Sequence, residues 1–404
     1  MIQDCSPARL GFSEAFAAIS ARVLPLGCET VASHAASGRI LAERVFAQRD
    51  HPPFAMAAMD GFAVAREDAG GSGERHLRLG APQFAGDRAE PLSSGEARPI
   101  YTGAEIPPGA AAVLVQERAR IAGASLLLAE PLADNLNIRS RGEDARCGEC
   151  IAPAGLRVNP AIVGALCSFG IAEVRVRRMP RVALVTTGAE LVPVGPAAGG
   201  AVIDANGPMI AALLAEAGCL LTGRHHVADD EAALTACLAA CRDGGADIIV
   251  TTGGASVGAR DLVRAAVEGG GAAVHFHGVH MRPGKPVLFA SHAAGPLVFG
   301  LPGNPVAALV AARFFLLHAV RALQGREAEA PLTLLPASKV GDGWSENGPT
   351  RVLKARMSGY GADARVEILP GQQSHRLRPL LEANAWLVTG GGLPARLFPL
   401  FDHA

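Results

Sequence analysis

Four short stretches of this 404-residue chain carry residue types suited to phosphate and oxyanion chemistry. The first runs from Ala246 to Asp261, ADIIVTTGGASVGARD. Ile248, Ile249 and Val250 read as a buried strand. Thr251-Thr252-Gly253-Gly254-Ala255-Ser256 follows, small residues where backbone can approach a ligand. Asp261 stands where a helix can start. Strand, glycine-rich turn and helix together build an anion site at the carboxyl end of a sheet. The glycines remove the Cβ atoms that would block the amides. A tight turn that binds nothing is an equally good reading of a Gly-Gly pair alone. The second stretch, Val185-Thr186-Thr187-Gly188 before Ala189-Glu190-Leu191, shares this signature. The third, Met281-Arg282-Pro283-Gly284-Lys285-Pro286, offers two cations on a proline-stiffened turn. The fourth, Gly300-Leu301-Pro302-Gly303-Asn304-Pro305, places Asn304 at a helix N-terminus, which suits an anion. Cations and amides to hold phosphates, with carboxylates to hold Mg²⁺, are what phosphoanhydride chemistry requires.

The elements that must position these residues read as follows. From Arg181 onward strands alternate with helices, implying a mostly parallel sheet with helices on both faces. Neighbouring parallel strands would put the loops carrying Glu190 and Asp261 on one rim. Before this region, residues 7–22 read as a helix starting near Ser13 and Glu14, and residues 29–37 as a second helix ended by Gly38. Residues 65–142 are short strands between glycine and proline breaks, a β-rich domain. Asp60 lies at a turn before one of those strands, and Thr102 reads as a turn hydroxyl. Asn159-Pro160 starts another helix. After Gly325 the pattern returns to strands.

Composition narrows the function. With 49% hydrophobic and 19% charged residues and a net charge of −1, the chain is a folded protein without the basic character of non-specific nucleic-acid or membrane-surface binders. Aromatics are only 4%, so stacking platforms for bases are few. MIQDCSPARL lacks a secretory n-region. The apolar helix around Val306 to Val320 is interrupted by Arg313 and His318 and reads as too short and polar to span a membrane. A cytoplasmic location with reduced cysteines follows. Cys147 and Cys150 form a CxxC without a second pair, and Cys237 and Cys241 lie one helical turn apart; both read as filler or surface thiols rather than metal or redox sites. The basic run Arg175, Arg177, Arg178 reads as a solvated strand edge. His275, His277 and His280 read as alternating along one strand and facing one way, with a ligand role the less common use of such histidines.

The ordered motifs AMDGFAV (58–64), TGAEIPPGA (102–110), TTGAEL (186–191), VADD (227–230), GGASVGARD (253–261), MRPGKP (281–286), GLPGNP (300–305) and, more weakly, GQQSH (371–375) with AN (383–384) resemble the MoeA family of molybdopterin molybdenumtransferases. The C-terminal domain of gephyrin belongs to that family. The resemblance covers essentially the whole chain. It implies a multidomain α/β plus β protein in four parts: an elongated domain from 1–44 and 143–179, an inserted β domain at 45–142, a MogA-like molybdopterin-binding α/β domain at 180–325, and a C-terminal β-barrel-like domain at 326–404. It implies a homodimer whose cleft joins the α/β domain of one protomer to the inserted β domain of the other. The implied reaction inserts molybdate into adenylyl-molybdopterin, hydrolyses the AMP link and requires Mg²⁺. A molybdopterin adenylyltransferase and client molybdoenzymes would be its partners.

Carried over by motif, Asp60, Glu190, Asp229 and Asp261 are the acidic candidates. Glu190 and Asp261 would bind metal or orient the nucleophile, and Asp60 and Thr102 would act across the dimer. Arg282 and Lys285 would hold molybdate or phosphate. Gly253, Gly254 and Ser256 would serve the pterin's phosphate, Pro302 and Pro305 would shape the adjoining loop with Asn304, and Ser374 would approach from the C-terminal domain. The chain departs from the family where Ala55-Met56-Ala57 replaces Asp-Asn-Ser, and where Ala189, Gly278 and Arg282 replace an acid, a basic residue and a lysine. Those departures motivate a second reading, a non-catalytic molybdopterin-binding scaffold that delivers cofactor to a client enzyme.

Overall fold

A computed structural model describes residues 9–195, 199–254, 262–334, 348–359 and 365–401. Asp261 and Ser256 lie outside the described residues. The chain forms two compact units: Thr30–Ser37 with Glu43–Arg175, and Met1–Glu29 with Gly38–Ala42 and Val176–Ala404. The first helix, α1 (Phe12–Ser20), belongs to the latter. It starts at Phe12, ahead of Ser13, because Glu14 Oε2 accepts the Gly11 N–H at 2.6 Å and closes the first turn. The helix expected over 29–37 is instead a strand, Cys28–Ala32, followed by a single 3₁₀ turn, Ser33–Ala35. The β-branched Thr30 and Val31 favour the strand.

The unit holding Glu43–Arg175 is built on a six-stranded sheet. Its strands are β1 (Gly61–Ala65), β2 (Arg75–Leu79), β3 (Glu96–Ile100), β4 (Ala110–Val115), β5 (Arg120–Ala122) and β6 (Ser125–Leu128). Their order is β4-β1-β3-β2-β6-β5. Strand β1 is buried along its whole length, and its alternate residues feed two cores: Phe62 and Val64 one, Ala63 and Ala65 the other. That double burial fixes the register of Asp60, the residue just before it. Gly61 is obligatory, since a Cβ there would lie 2.1 Å from the Leu114 carbonyl oxygen. Helix α2 (Pro160–Ser168) begins as expected, with Asn159 Oδ1 accepting from Ile162 N at 3.0 Å.

The other unit contains the α/β layer. Its strands are β7 (Arg181–Thr187), β8 (Leu220–Val227), β9 (Ile248–Thr252), β10 (Ala273–His277), β11 (Leu288–Ser291) and β12 (Leu297–Leu301), in the order β8-β7-β9-β12-β11-β10. The first four of that order are mutually parallel, and β11 and β10 add an antiparallel edge. Helices α3 (Asn206–Glu216) and α6 (Pro305–Leu323), with α1, bury Ile210, Leu213, Phe315 and Phe12 against one face. Helices α4 (Glu231–Asp243) and α5 (Leu262–Gly269) bury Leu234, Leu238 and Val263 against the other. Strands covered on both faces read as continuous apolar runs, which is why IIV in β9 was legible.

Helix α6 is neither too short nor too polar to meet the dimensions of a membrane span, contrary to its sequence reading. Its 19 residues reach a mean hydropathy of 1.8, enough by length and composition to cross a membrane, yet 83% of that span is buried inside the protein. A π-helical segment, Ala312–Leu316, interrupts it and seats Arg313, which pairs in a bidentate manner with Glu329 at 2.6 Å. The charge that argued against a membrane span is therefore a buried strut of the core. The expected solvated edge holds at Arg175, which is exposed, and is corrected at Arg178. Arg178 makes two bonds to the Asp247 carboxylate at 2.9 and 2.8 Å, and Asp247 also accepts the Arg181 N–H. That clamp ties the entrance of β7 to the entrance of β9.

Near the C-terminus, β13 (Thr350–Ser358), β14 (Arg365–Ile368), β15 (Ala385–Gly390) and β16 (Leu393–Pro399) form an antiparallel sheet, joined by Thr333–Leu334. Met281–Arg282 joins its edge, parallel to β13. The MRPGKP turn is thereby held between the α/β layer, where it leaves β10, and the C-terminal sheet.

Candidate functional site

The two threonine-glycine strand ends meet as the shared motif implied. Strands β7 and β9 are adjacent and parallel, with Thr186 opposite Thr252. Gly253 and Gly254 have φ of 87° and 63°. A Cβ on Gly253 would lie 2.3 Å from the Thr187 carbonyl oxygen, and one on Gly254 would lie 2.8 Å from Thr187 Oγ1. The glycines thus serve close approach of the two loops as well as access to backbone amides.

A cavity of about 530 Å³ opens at this rim. Thr187, Glu190, Thr252 and Gly253 line one side; Pro302, Gly303, Asn304 and Pro305 line another. Glu190 is exposed and its carboxylate makes no hydrogen bond among the described residues. Asn304 is the N-cap residue of α6, but its side chain makes no capping bond and remains available. Two wall residues had not been marked in the sequence, Asp204 and Asn206. Asn206 is buried, donates from Nδ2 to the Gly303 carbonyl at 2.8 Å, and its Oδ1 has no partner among the described residues. Asp204 Oδ1 accepts from Gly207 N at 2.8 Å. The run Asp204-Ala-Asn206-Gly207 at a helix start was the available signal.

A second cavity of about 500 Å³ shares Pro286, Pro302 and Asn304 with the first. It is lined by Arg282, Lys285, Arg351, Gln373 and Ser374. Arg282 and Lys285 bring two cations to its wall and make no ion pair among the described residues. The Ser374 loop is fixed from below. Lys354 is buried, and its Nζ donates to the carbonyls of Gly371 at 2.7 Å and Arg376 at 3.1 Å. Gln372 is spent on the backbone of Lys354 and Leu369. The Ser374 carbonyl accepts the Val306 N–H at 2.9 Å, which couples this loop to the first turn of α6.

Asp60 and Thr102 form a separate site on the other unit. Thr102 donates both its N–H and its Oγ1–H to Asp60 Oδ1, each at 2.8 Å. These bonds, the backbone one foremost, hold the Asp60 carboxyl below its ordinary value of 3.8. Thr102 is thus more than a turn hydroxyl: its two bonds favour the ionised form of Asp60 and orient its carboxylate. Asp229 lies in the turn after β8, exposed and away from both cavity walls; its neighbour Asp230 caps α4 by accepting from Ala233 N at 2.6 Å.

The histidines do not share one face. Strand β10 ends at His277, Gly278 turns the chain at φ 103°, and His280 falls outside the strand. His275 instead bonds Ser291 Oγ at 2.8 Å, and burial lowers its pKa. No group of three metal-capable side chains gathers among the described residues. The positive φ at Gly278 gives that departure a backbone reason, and Ala57 is fully buried, with no room for a hydrated polar side chain.

The comparisons with known proteins agree with this architecture. Residues 10–170 match the MoeA N-terminal region (domain I and II), and residues 183–322 match a probable molybdopterin binding domain. A molybdopterin molybdenumtransferase of Staphylococcus aureus (strain Mu50 / ATCC 700699) is 32% identical over 370 residues, covering 90% of this chain and 87% of its own. One from Staphylococcus epidermidis (strain ATCC 12228 / FDA PCI 1200) is 31% identical over 362 residues, 88% of this chain and 85% of its own. The solved molybdopterin biosynthesis MoeA protein from Pyrococcus horikoshii OT3 superposes with a TM-score of 0.76 at 26% identity, covering 97% of this chain and 98% of that one. A molybdenum cofactor biosynthesis protein from Pyrococcus furiosus shares the fold at a TM-score of 0.56 and 16% identity, over 97% of each chain.

Proposed function

This chain belongs to the MoeA family of molybdopterin molybdenumtransferases, and from that premise we propose that it inserts molybdate into adenylyl-molybdopterin with release of AMP. It is a transferase of molybdenum cofactor biosynthesis. The observation that carries the finer reading is the pair of cavities with common walls. The first has the glycine turn, Asn206 and Asn304 for the pterin's phosphate end. The second has Arg282 and Lys285 for an oxyanion such as molybdate. Pro286, Pro302 and Asn304 border both, so an oxyanion in the second would sit beside a substrate in the first. This arrangement favours catalysis over the scaffold reading, because a delivery protein needs no oxyanion-binding cation pair beside its cofactor cavity.

The donor set fits the Mg²⁺ of the proposed reaction. Glu190 and Asp204 bring carboxylates to the first cavity, and Mg²⁺ sites commonly use one or two carboxylates, with water and substrate phosphates completing the shell. Glu190, with Asp261, would hold the ion, which when bound supplies neutralisation of charge on the phosphoanhydride. Glu190 would also orient the water that attacks the adenylyl phosphorus. Arg282 and Lys285 bind and position the oxyanion, as a forked donor and a point charge respectively. In the proposed homodimer, Asp60 with Thr102 would complete the cleft of the partner protomer. The proposal places the reaction in the cytoplasm, where exposed thiols such as Cys28, Cys147 and Cys167 stay reduced. Molybdopterin adenylyltransferase and client molybdoenzymes are the proposed partners.

The test is AMP release by Glu190→Gln and Asp261→Ala at saturating adenylyl-molybdopterin. Loss of turnover by about a hundredfold or more with substrate still bound is expected for groups acting on the reacting centre. Full activity in either variant removes the assigned mechanism.

A further inference from the structure

Asp204 stands on a wall common to two cavities. It lines the first cavity together with Glu190, and also a third cavity of about 260 Å³ that holds Arg224, His225 and His226. Arg224 borders the third cavity and not the first. The backbone seats the carboxylate. Leu191–Val192 pairs in parallel with Val202–Ile203. The Glu190 carbonyl accepts the Val202 N–H at 2.9 Å, and the Val192 carbonyl accepts the Asp204 N–H at 2.9 Å. Asp204 is thereby tied to the stretch of chain that carries Glu190.

The two oxygens of Asp204 face different partners. Oδ1 accepts the Gly207 N–H at 2.8 Å in the first turn of α3, and Oδ2 faces Arg224 Nη2 at 3.8 Å. Gly207 leaves room for the pair: a Cβ there would clash with Asp204 Oδ2 and lie 2.9 Å from Arg224 Nη2. Arg224 reaches this place from β8, opposite Leu184 of β7. At 3.8 Å the contact is one of charge rather than a hydrogen bond, so Oδ2 keeps its acceptor capacity. The Asp204 side chain is 13% exposed and that of Arg224 is 46% exposed. A mostly buried carboxylate is thus offset by a cation that solvent can take up.

The proposed reaction brings a divalent cation to Glu190 in the first cavity. A cation drawn also to Asp204 Oδ2 meets the charge of Arg224 at the same oxygen, and two cations on one oxygen repel. We propose that Arg224 is the resident counter-ion of Asp204, a positioning residue that holds the carboxylate and lowers the affinity of the first cavity for a divalent cation. This rests on the reading that Mg²⁺ acts in that cavity. Arg224 sets the cation's affinity through Asp204, without touching the substrate. The effect is about threefold in dissociation constant, the size expected of a solvent-screened ion pair.

Titration of Mn²⁺ into the full-length protein, with free Mn²⁺ counted by electron paramagnetic resonance, tests it. Arg224→Gln binds Mn²⁺ about threefold more tightly than wild type. Arg224→Lys, which keeps the charge, binds as wild type does, and the gain in Arg224→Gln shrinks as ionic strength rises. In an Asp204→Asn background Arg224→Gln changes nothing, because the carboxylate that carries the effect is gone. Glu190→Gln weakens binding with or without Arg224→Gln, which places the ion in the first cavity. Unchanged or weaker Mn²⁺ binding in Arg224→Gln, or an equal gain in the Asp204→Asn background, overturns the proposal. Mn²⁺ binding that ignores Glu190→Gln also overturns it, by placing the ion elsewhere. Absence of Mn²⁺ binding by wild type and by Arg224→Gln overturns it together with the Mg²⁺ reading. The expected Mn²⁺ pattern without molybdate-dependent turnover would instead remove only the function proposed above.

Discussion

Thr102 shows how one residue's backbone and hydroxyl bonds favour the charged form of another. Its N–H and hydroxyl both point at Asp60 Oδ1, and both favour the carboxylate over the acid. Asp60 therefore stays ionised as pH falls through 3.8, the ordinary value, and protonates only below it. In Thr102→Ala the hydroxyl bond is lost while the N–H bond persists, so the titration of Asp60 followed by carboxyl-carbon NMR should move upward toward 3.8 without passing it. An unmoved titration would show that the hydroxyl bond does not act on the carboxylate. Gly253 tests the rim itself. Its φ of 87° and the 2.3 Å approach of an added Cβ to the Thr187 carbonyl make alanine incompatible with the turn. Gly253→Ala should cost about 1–3 kcal/mol in urea unfolding and lower turnover as the two loops separate. Full retention of both would mean the loops are not held in this arrangement. The residue types at this rim were legible from sequence, because small residues after a β-branched run have few other uses. Asp204 and Asn206 were not, since a cap and a ligand-facing polar residue look alike until the wall they face is known.

At the scale of elements, the parallel pairing of β7 with β9 is the device that turns two similar sequences into one rim. The continuous apolar runs made those strands readable, and the same logic failed for Cys28–Ala32, whose five residues carry little periodic signal. Arg313 marked the helix as unlike a membrane span, but sequence alone could not show that its charge is buried and neutralised by Glu329. The C-terminal loop 371–376 is the element most open to test. Buried Lys354 holds it through carbonyl bonds and touches neither cavity. Lys354→Met should leave the helices folded by circular dichroism while raising the KM for molybdate more than it lowers kcat, because Ser374 and Gln373 lose their fixed position. A pure kcat defect would place this loop in the chemistry rather than in oxyanion binding.

At the scale of the whole molecule, neither cavity alone explains a molybdenumtransferase. The first suits a phosphorylated substrate and the second an oxyanion; their common walls at Pro286, Pro302 and Asn304 link the two. Sequence motifs ordered the parts along the chain, but only the fold shows that MRPGKP is seated between the α/β layer and the strand β13 sheet. The most direct test of the central claim is AMP release from adenylyl-molybdopterin in the presence of Mg²⁺, measured with and without molybdate and with tungstate in its place. The account predicts release that depends on the oxyanion and is lost when Mg²⁺ is chelated. AMP release at the same rate without any oxyanion, or none under any condition, would contradict it.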